Sequence, residues 1–180
     1  MIDSSAPTQR GAPPRGRAAF DEFVRTRTPA LTRTAYLLTG DAHLAEDLLQ
    51  TALFRAAKAW HRIDGDPEPY VRRILYTQNV SRWRRRRVAE TRLPEQYDAA
   101  SPHGDATDPA LRLTLVAALA RLTERQRTVL VLRYFEDLTE RQTAEALGIG
   151  LGTVKSATRD ALARLRALAP DLEELREETR

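Results

Sequence analysis

The stretch "LTERQRTVLVLRYFEDLTERQTAEALGIGLGTVKS" (residues 122–156) carries the four letters TERQ twice. Each copy is Thr-x-x-Gln ahead of a run with helical spacing. A threonine at a helix N-cap accepts from a backbone N–H of the first turn, and a glutamine three residues on reaches back to the N-cap amide. Thr123 with Gln126 and Thr139 with Gln142 therefore predict two helix starts. The sequences that follow differ (RTVLVLRYF against TAEALGIGL), so the copies are two capping signals and not an internal repeat.

The second copy opens something more specific. Ala144, Gly148 and Val154 stand at the intervals of a helix-turn-helix: a small residue where two helices meet, a glycine for the turn, and an apolar residue locking the second helix onto the first. Thr143, Leu147, Ile149, Val154 and Ala157 are the predicted buried side. The second helix would present Gly152, Thr153, Lys155, Ser156 and Arg159 at its N-terminal end, where such helices meet base edges in the major groove. Lysine and arginine donate to guanine O6 and N7, while Thr and Ser suit bases or phosphates. A three-helix unit with no DNA role is the plainer reading, and the charge of the surrounding block argues against it.

That charge is patterned. The net +4 over 180 residues resolves into +2 for residues 1–19, +5 for 20–87, −4 for 88–109, +4 for 110–168 and −3 for 169–180. Two basic blocks flank an acidic segment, which suggests a polyanionic partner, most economically nucleic acid. The absence of cysteine excludes disulfides and thiolate chemistry and fits a reducing cytosol. The first twenty residues lack the apolar run of a signal peptide, and no stretch is long enough to span a bilayer. A cytoplasmic protein with no membrane attachment is expected.

Residues 1–19 read as a disordered tail, 88–109 as a flexible acidic linker and 169–180 as an acidic tail. The rest reads as helix, with no alternating strand pattern. The expectation is an all-α chain of two small domains, 20–87 and 110–168. In the first, Gly40 suits a helix C-terminus and Asp41 the next N-cap. The helix that follows puts Leu49, Leu53, Ala56 and Trp60 on a core face, and Asp47, Gln50, Phe54 and Lys58 on another. A solvated face would account for the polar members but not for Phe54.

After the breaker "DGDPEP" comes "YVRRILYTQNVSRWRRRR" (70–87). Val71, Ile74, Leu75 and Gln78 are its expected inner face, and Arg73, Thr77, Ser81 and Arg84 an outer stripe flanked by Tyr76, Val80 and Trp83. Arginines neutralise phosphates, and aromatic faces stack on unpaired bases for about 1–3 kcal/mol each. Together they favour DNA that is partly single-stranded. Chemistry has no comparable footing. His43, His61 and His103 are scattered without metal-ligand spacing, and no phosphate loop, nucleophile elbow or carboxylate pair occurs. No enzyme activity and no cofactor are expected.

These residues resemble a family. "AEDLLQTALFRAAKAW" is similar to region 2.2, "YVRRILYTQNVSRWRRRR" to regions 2.3–2.4, and residues 122–156 to region 4 of RNA polymerase sigma factors of the extracytoplasmic-function (ECF) type. The similarity spans about residues 20–168, with the blocks in the family's order. The resemblance implies that the chain directs transcription initiation with core RNA polymerase and promoter DNA as partners, and it brings in an anti-sigma protein as a third. It implies polymerase binding by Asp47, Gln50, Thr51 and Phe54. It implies contact with the melted minus-ten element by Arg73, Tyr76, Thr77, Ser81, Arg82, Trp83, Arg84 and Arg85. Gly152, Thr153, Lys155, Ser156 and Arg159 would read the minus-thirty-five duplex. Four positions depart from the family pattern: Thr77 and Ser81 replace the usual Asn and Asp, Thr51 replaces a common Glu, and Gly150 stands at the usual polar N-cap of the recognition helix. The loop "HRIDGDPEP" (61–69) is placed to wall a pocket for an extruded base, with Asp64, Asp66 and Glu68 as acceptors. A helix-turn-helix regulator acting without polymerase is the alternative, and it leaves the first block unexplained.

Overall fold

The computed structural model describes residues 16–89 and 109–169, with side chains over 16–85 and 114–169. The acidic linker and both tails fall almost wholly outside these ranges. Where they overlap, the helices run slightly further than expected: the first begins at Arg17, and the third continues to Ala89.

The first half is three helices, α1 (Arg17–Thr39), α2 (Ala42–Ala59) and α3 (Pro67–Ala89), with a short 3-10 turn at Trp60–Arg62. Gly40 ends α1 in the left-handed region at φ 74°, its N–H donating to Tyr36 O. Asp41 then caps α2, its carboxylate accepting from Leu44 N at 2.7 Å. Trp60 takes an edge contact from Phe20 and a tilted one from Phe23, at centroid separations of 5.0 and 5.4 Å, which pins the end of α2 to the start of α1. Asp66 accepts from Glu68 N at 2.9 Å and so caps α3, whose first residue is a proline that has no N–H to leave unpaired.

The second half comprises α4 (Pro109–Ala120), α5 (Glu124–Leu130), one wide turn with i→i+5 bonding (Val131–Phe135), α6 (Glu140–Leu147) and α7 (Leu151–Leu168). Both TERQ segments form complete capping boxes, at Thr123 with Gln126 and at Thr139 with Gln142. Gly148 ends α6 at φ 60°, and α6 and α7 make the expected helix-turn-helix. Thr143, Leu147, Val154 and Ala157 are buried there, with Ile149 packed at the margin. Gly150 caps α7 without a side-chain hydrogen bond, as its composition requires.

The two halves are not separate beads. One apolar cluster runs from Leu31, Leu38, Leu48, Val71 and Leu75 of the first half to Val129, Leu132, Leu147 and Val154 of the second. A smaller cluster around Leu119, Leu122, Leu130 and Ala161 closes α4 against α7. Across the join, the fully buried Arg127 of α5 donates through Nε to Leu38 O (3.1 Å) and through Nη2 to Thr39 O (2.7 Å), with Nη1 reaching Ala120 O at 3.3 Å. Leu38 and Thr39 are the last carbonyls of α1, the negative end of its dipole. A cation from one half thus completes a helix of the other.

Gly40 makes this approach possible, because a Cβ there would lie 3.0 Å from Arg127 Nη1. Replacing it by alanine also forces a left-handed backbone on an L side chain, at a cost of about 1–2 kcal/mol. Gly40→Ala should therefore lower the unfolding free energy in denaturant titration by at least that amount. A variant within a few tenths of a kcal/mol of the native chain would contradict this packing.

Candidate polymerase and promoter interfaces

On α2 the burial pattern leaves one side free. Ala45, Leu48, Leu49, Ala52 and Ala56 are buried, whereas Asp47, Gln50, Thr51 and Phe54 are exposed and adjoin one another. Phe54 is 61% exposed, which is unusual for a phenylalanine beside an available core. Lys58 Nζ lies 4.3 Å from its ring centroid, and Gln50 Nε2 donates to Glu46 at 3.3 Å. The face is polar with a single aromatic standing in it.

On α3 only part of the expected stripe is open. Arg73, Ser81, Arg84 and Arg85 are exposed and Thr77 is half-buried. The Thr77 and Ser81 hydroxyls donate back to their own helix, to Arg73 O at 2.9 Å and Thr77 O at 2.8 Å. Arg82 is half-buried and turns toward α2, with Nη1 3.3 Å from Leu44 O. Trp83 is half-buried, its indole Nε1 enclosed without an acceptor among the described residues.

Two expectations for α3 are corrected. Tyr76 and Val80, read as flanking an exposed stripe, are only 5% and 4% exposed. Gln78 was assigned to the inner face, but Asn79 takes the buried position, donating to Thr128 Oγ1 of α5 at 3.0 Å. Both shifts have one cause: α3 packs on α5 and α6 of the second half as well as on α1 and α2. It is covered on two sides, whereas its sequence pattern was read for one. Arg84, although exposed, reaches across as well, with Nη2 3.0 Å from Leu147 O at the end of α6.

The centre of this covered side is Glu136, just past the wide turn, with its side chain 4% exposed. Arg72 Nη1 donates to its Oε1 at 2.6 Å and Thr34 Oγ1 to the same oxygen at 2.9 Å, while Tyr76 OH donates to Oε2. All three donors belong to the first half. Arg72 is held from its other side by Glu68 at 2.7 Å, and Glu68 also meets Arg27 at 3.3 Å. Glu68 is therefore already engaged, and is not a free acceptor in the 61–69 loop. Burial opposes the charge on Arg72, but Glu68 and Glu136 together outweigh it and raise its pKa. Burial, reinforced by the bond to Glu136, pushes the Tyr76 hydroxyl far above its ordinary value, so it stays a donor.

Sequence reasoning did not single out Glu136, Arg72 or Arg127. Glu136 follows "LRYF" with no periodic signal. Its direction is set by the wide turn, where its N–H donates to Val131 O at 3.0 Å, and by Asp137 at φ 51°. On α7, Gly152, Lys155 and Arg159 are exposed, while Thr153 and Ser156 are half-buried, the Ser156 hydroxyl donating to Thr153 O. Lys155 lies 3.9 Å from Glu140, and Arg159 3.3 Å from Asp160; exposed pairs of this kind contribute little and yield readily to a competing anion.

A helix-turn-helix with a basic outer face, joined to a three-helix unit bearing an arginine-rich helix and an exposed polar face around Phe54, has the make-up of a DNA-binding protein. Sigma-70 region 2 matches residues 23–88 and sigma-70 region 4 matches residues 118–167. The chain belongs to the sigma-70 family, with its similarity to the ECF members. It is 43% identical to the RNA polymerase sigma-E factor of Streptomyces coelicolor, over 82% of this chain and 84% of that one. It is 35% identical to the ECF RNA polymerase sigma factor SigL of Mycobacterium tuberculosis, over 87% and 89% of the two chains. Among solved structures, the sigma factor RpoE in complex with the anti-sigma factor NepR from Bartonella quintana shares the fold. The TM-score is 0.63 at 23% identity, covering 84% of this chain and 96% of that one.

The Glu136 cluster makes a direct prediction. Tyr76→Phe keeps the ring and removes one donor to a buried carboxylate that retains two others. The unfolding free energy should fall by about 1.5 kcal/mol, the lower end for a bond to a charged group. Unchanged stability would mean that the hydroxyl does not face Glu136 in solution.

Proposed function

We propose that this sigma factor docks on core RNA polymerase through Asp47, Gln50, Thr51 and Phe54 of α2. It reads minus-thirty-five duplex with Gly152, Thr153, Lys155, Ser156 and Arg159 of α7. It contacts melted minus-ten DNA with the α3 side bearing Arg73, Tyr76, Thr77, Ser81, Arg82, Trp83, Arg84 and Arg85. The division of labour follows the boundaries 20–87 and 110–168, with 88–109 as the connecting segment. The action is binding and positioning, carried out in the cytoplasm where polymerase and chromosome are, without catalysis by this chain. The solved relative held by an anti-sigma factor supports an anti-sigma partner here.

The single observation that carries the polymerase assignment is the α2 face. Its apolar side is fully used by the core, yet Phe54 stands 61% exposed among polar neighbours. An aromatic surrounded by polar side chains suits the centre of a protein–protein contact better than a merely solvated surface.

Asp47→Arg combined with Gln50→Ala should weaken core polymerase binding in a titration while leaving helicity and melting temperature nearly unchanged, since both side chains are exposed. Unaltered affinity would remove α2 from the contact.

Lys155 and Arg159 are expected to separate by mechanism. Replacing a base reader by alanine costs about 1–3 kcal/mol and relaxes preference at one position. Replacing a phosphate contact weakens all sequences alike and flattens the salt dependence. Transcription from a promoter library randomised over the minus-thirty-five element distinguishes them, and full promoter use by both alanine variants would displace α7 from the groove.

A further inference from the structure

Two exposed cations of α7 are met by carboxylates in different ways. Arg159 turns to Asp160, its neighbour in the chain, at 3.3 Å, so that pair moves with α7 as a unit. Lys155 is tied across to the other helix of the helix-turn-helix, its Nζ lying 3.9 Å from Glu140 Oε2. Glu140 is the first residue of α6, and the Thr139–Gln142 capping box fixes the turn on which it stands. Its side chain is 37% exposed and that of Lys155 61%, so the pair sits at the surface and not in the core. An acid at the edge of a surface built to meet phosphates weakens that surface unless it has a task there.

The pair adds little to folding, but it sets which partner Lys155 can take. An ammonium carries three N–H donors on a flexible stem, and left alone it serves as a point charge for whichever phosphate is near. In a docked helix-turn-helix the first helix crosses the DNA backbone while the second lies in the major groove. Glu140, on the first helix, therefore stands on the backbone side of Lys155. A Lys155 that turned to a phosphate would leave the Glu140 carboxylate unpaired beside the same anion, and like charges placed together are costly. One that takes guanine O6 or N7 with a second N–H keeps Glu140 on the first and leaves no charge uncompensated. Discrimination comes as much from penalising the wrong partner as from favouring the right one.

We propose that Glu140 is a positioning residue for minus-thirty-five recognition: its carboxylate holds the Lys155 ammonium off the phosphates and so makes Lys155 a base reader. Glu140 acts through Lys155 and need not touch a base itself. This rests on the α7 reading above, and the experiment tells a failure of one from a failure of the other.

Four chains are compared: native, Glu140→Gln, Lys155→Ala and the double variant. Each is bound to core RNA polymerase and transcribes a promoter library randomised over the minus-thirty-five element. Lys155→Ala should flatten base preference at one position by about threefold or more. Glu140→Gln should flatten the same position although Lys155 is still present, and use of promoters mismatched there should rise. The double variant should match Lys155→Ala, whereas a defect in folding would add to it. Native preference at that position in Glu140→Gln, or a further loss in the double variant, would overturn the role of Glu140 while sparing the α7 reading. So would an equal gain in use of every sequence, with or without Lys155, which is the mark of a plain repelling charge. An unaltered profile in Lys155→Ala would overturn the α7 reading of that residue, and the role of Glu140 with it.

Discussion

A carboxylate removed from water must be met by donors, and Glu136 finds Arg72, Thr34 and Tyr76, all on the other half of the chain. Arg127 makes the complementary demand: its guanidinium is buried and is satisfied at Leu38 and Thr39, the C-terminal carbonyls of α1. Two charges, one on each side of a wide turn, thus need the first half in one position. That constraint explains why α3 is covered on two sides, and why a Cβ at Gly40 would crowd the Arg127 guanidinium. It also explains why Tyr76 and Asn79 of α3 are buried.

The fold was largely legible because its signals are local. Two capping boxes, Gly40 with Asp41, and the Ala144–Gly148–Val154 spacing each act within a few residues, and each is realised in the structure. The polar face of α2 could be read for the same reason, since a helix with one apolar side shows the other by subtraction. Tyr76 and Val80 were misread because α3 lies against four helices. A residue opposite the first core looks exposed by periodicity until a second surface covers it. Glu136 and Arg127 were invisible as functional residues, because most of their partners lie 60 or more positions away and charged residues are read by default as surface.

The distribution of exposure has a functional logic. The α2 face around Phe54, proposed for polymerase, stays in water. The α3 helix, proposed for melted DNA, is partly covered: Tyr76, Asn79 and Val80 are buried while Arg73, Ser81, Arg84 and Arg85 are exposed. A basic helix freely exposed would bind any polyanion through its arginines. Arg72 on Glu136 and Arg84 on the last carbonyl of α6 meet part of that charge inside the chain, while Arg73 and Arg85 stay exposed.

The most direct test of this arrangement is the solvent accessibility of Tyr76, read by hydroxyl-radical oxidation and mass spectrometry. Tyr70 and Tyr134, which are 38% and 58% exposed, serve as internal standards in the same sample. In the free chain Tyr76 should oxidise several-fold more slowly than either, and Glu136→Lys should raise its rate toward theirs. A Tyr76 that is as reactive as Tyr70 in the free chain would contradict the packing of α3 against Glu136 and the second half.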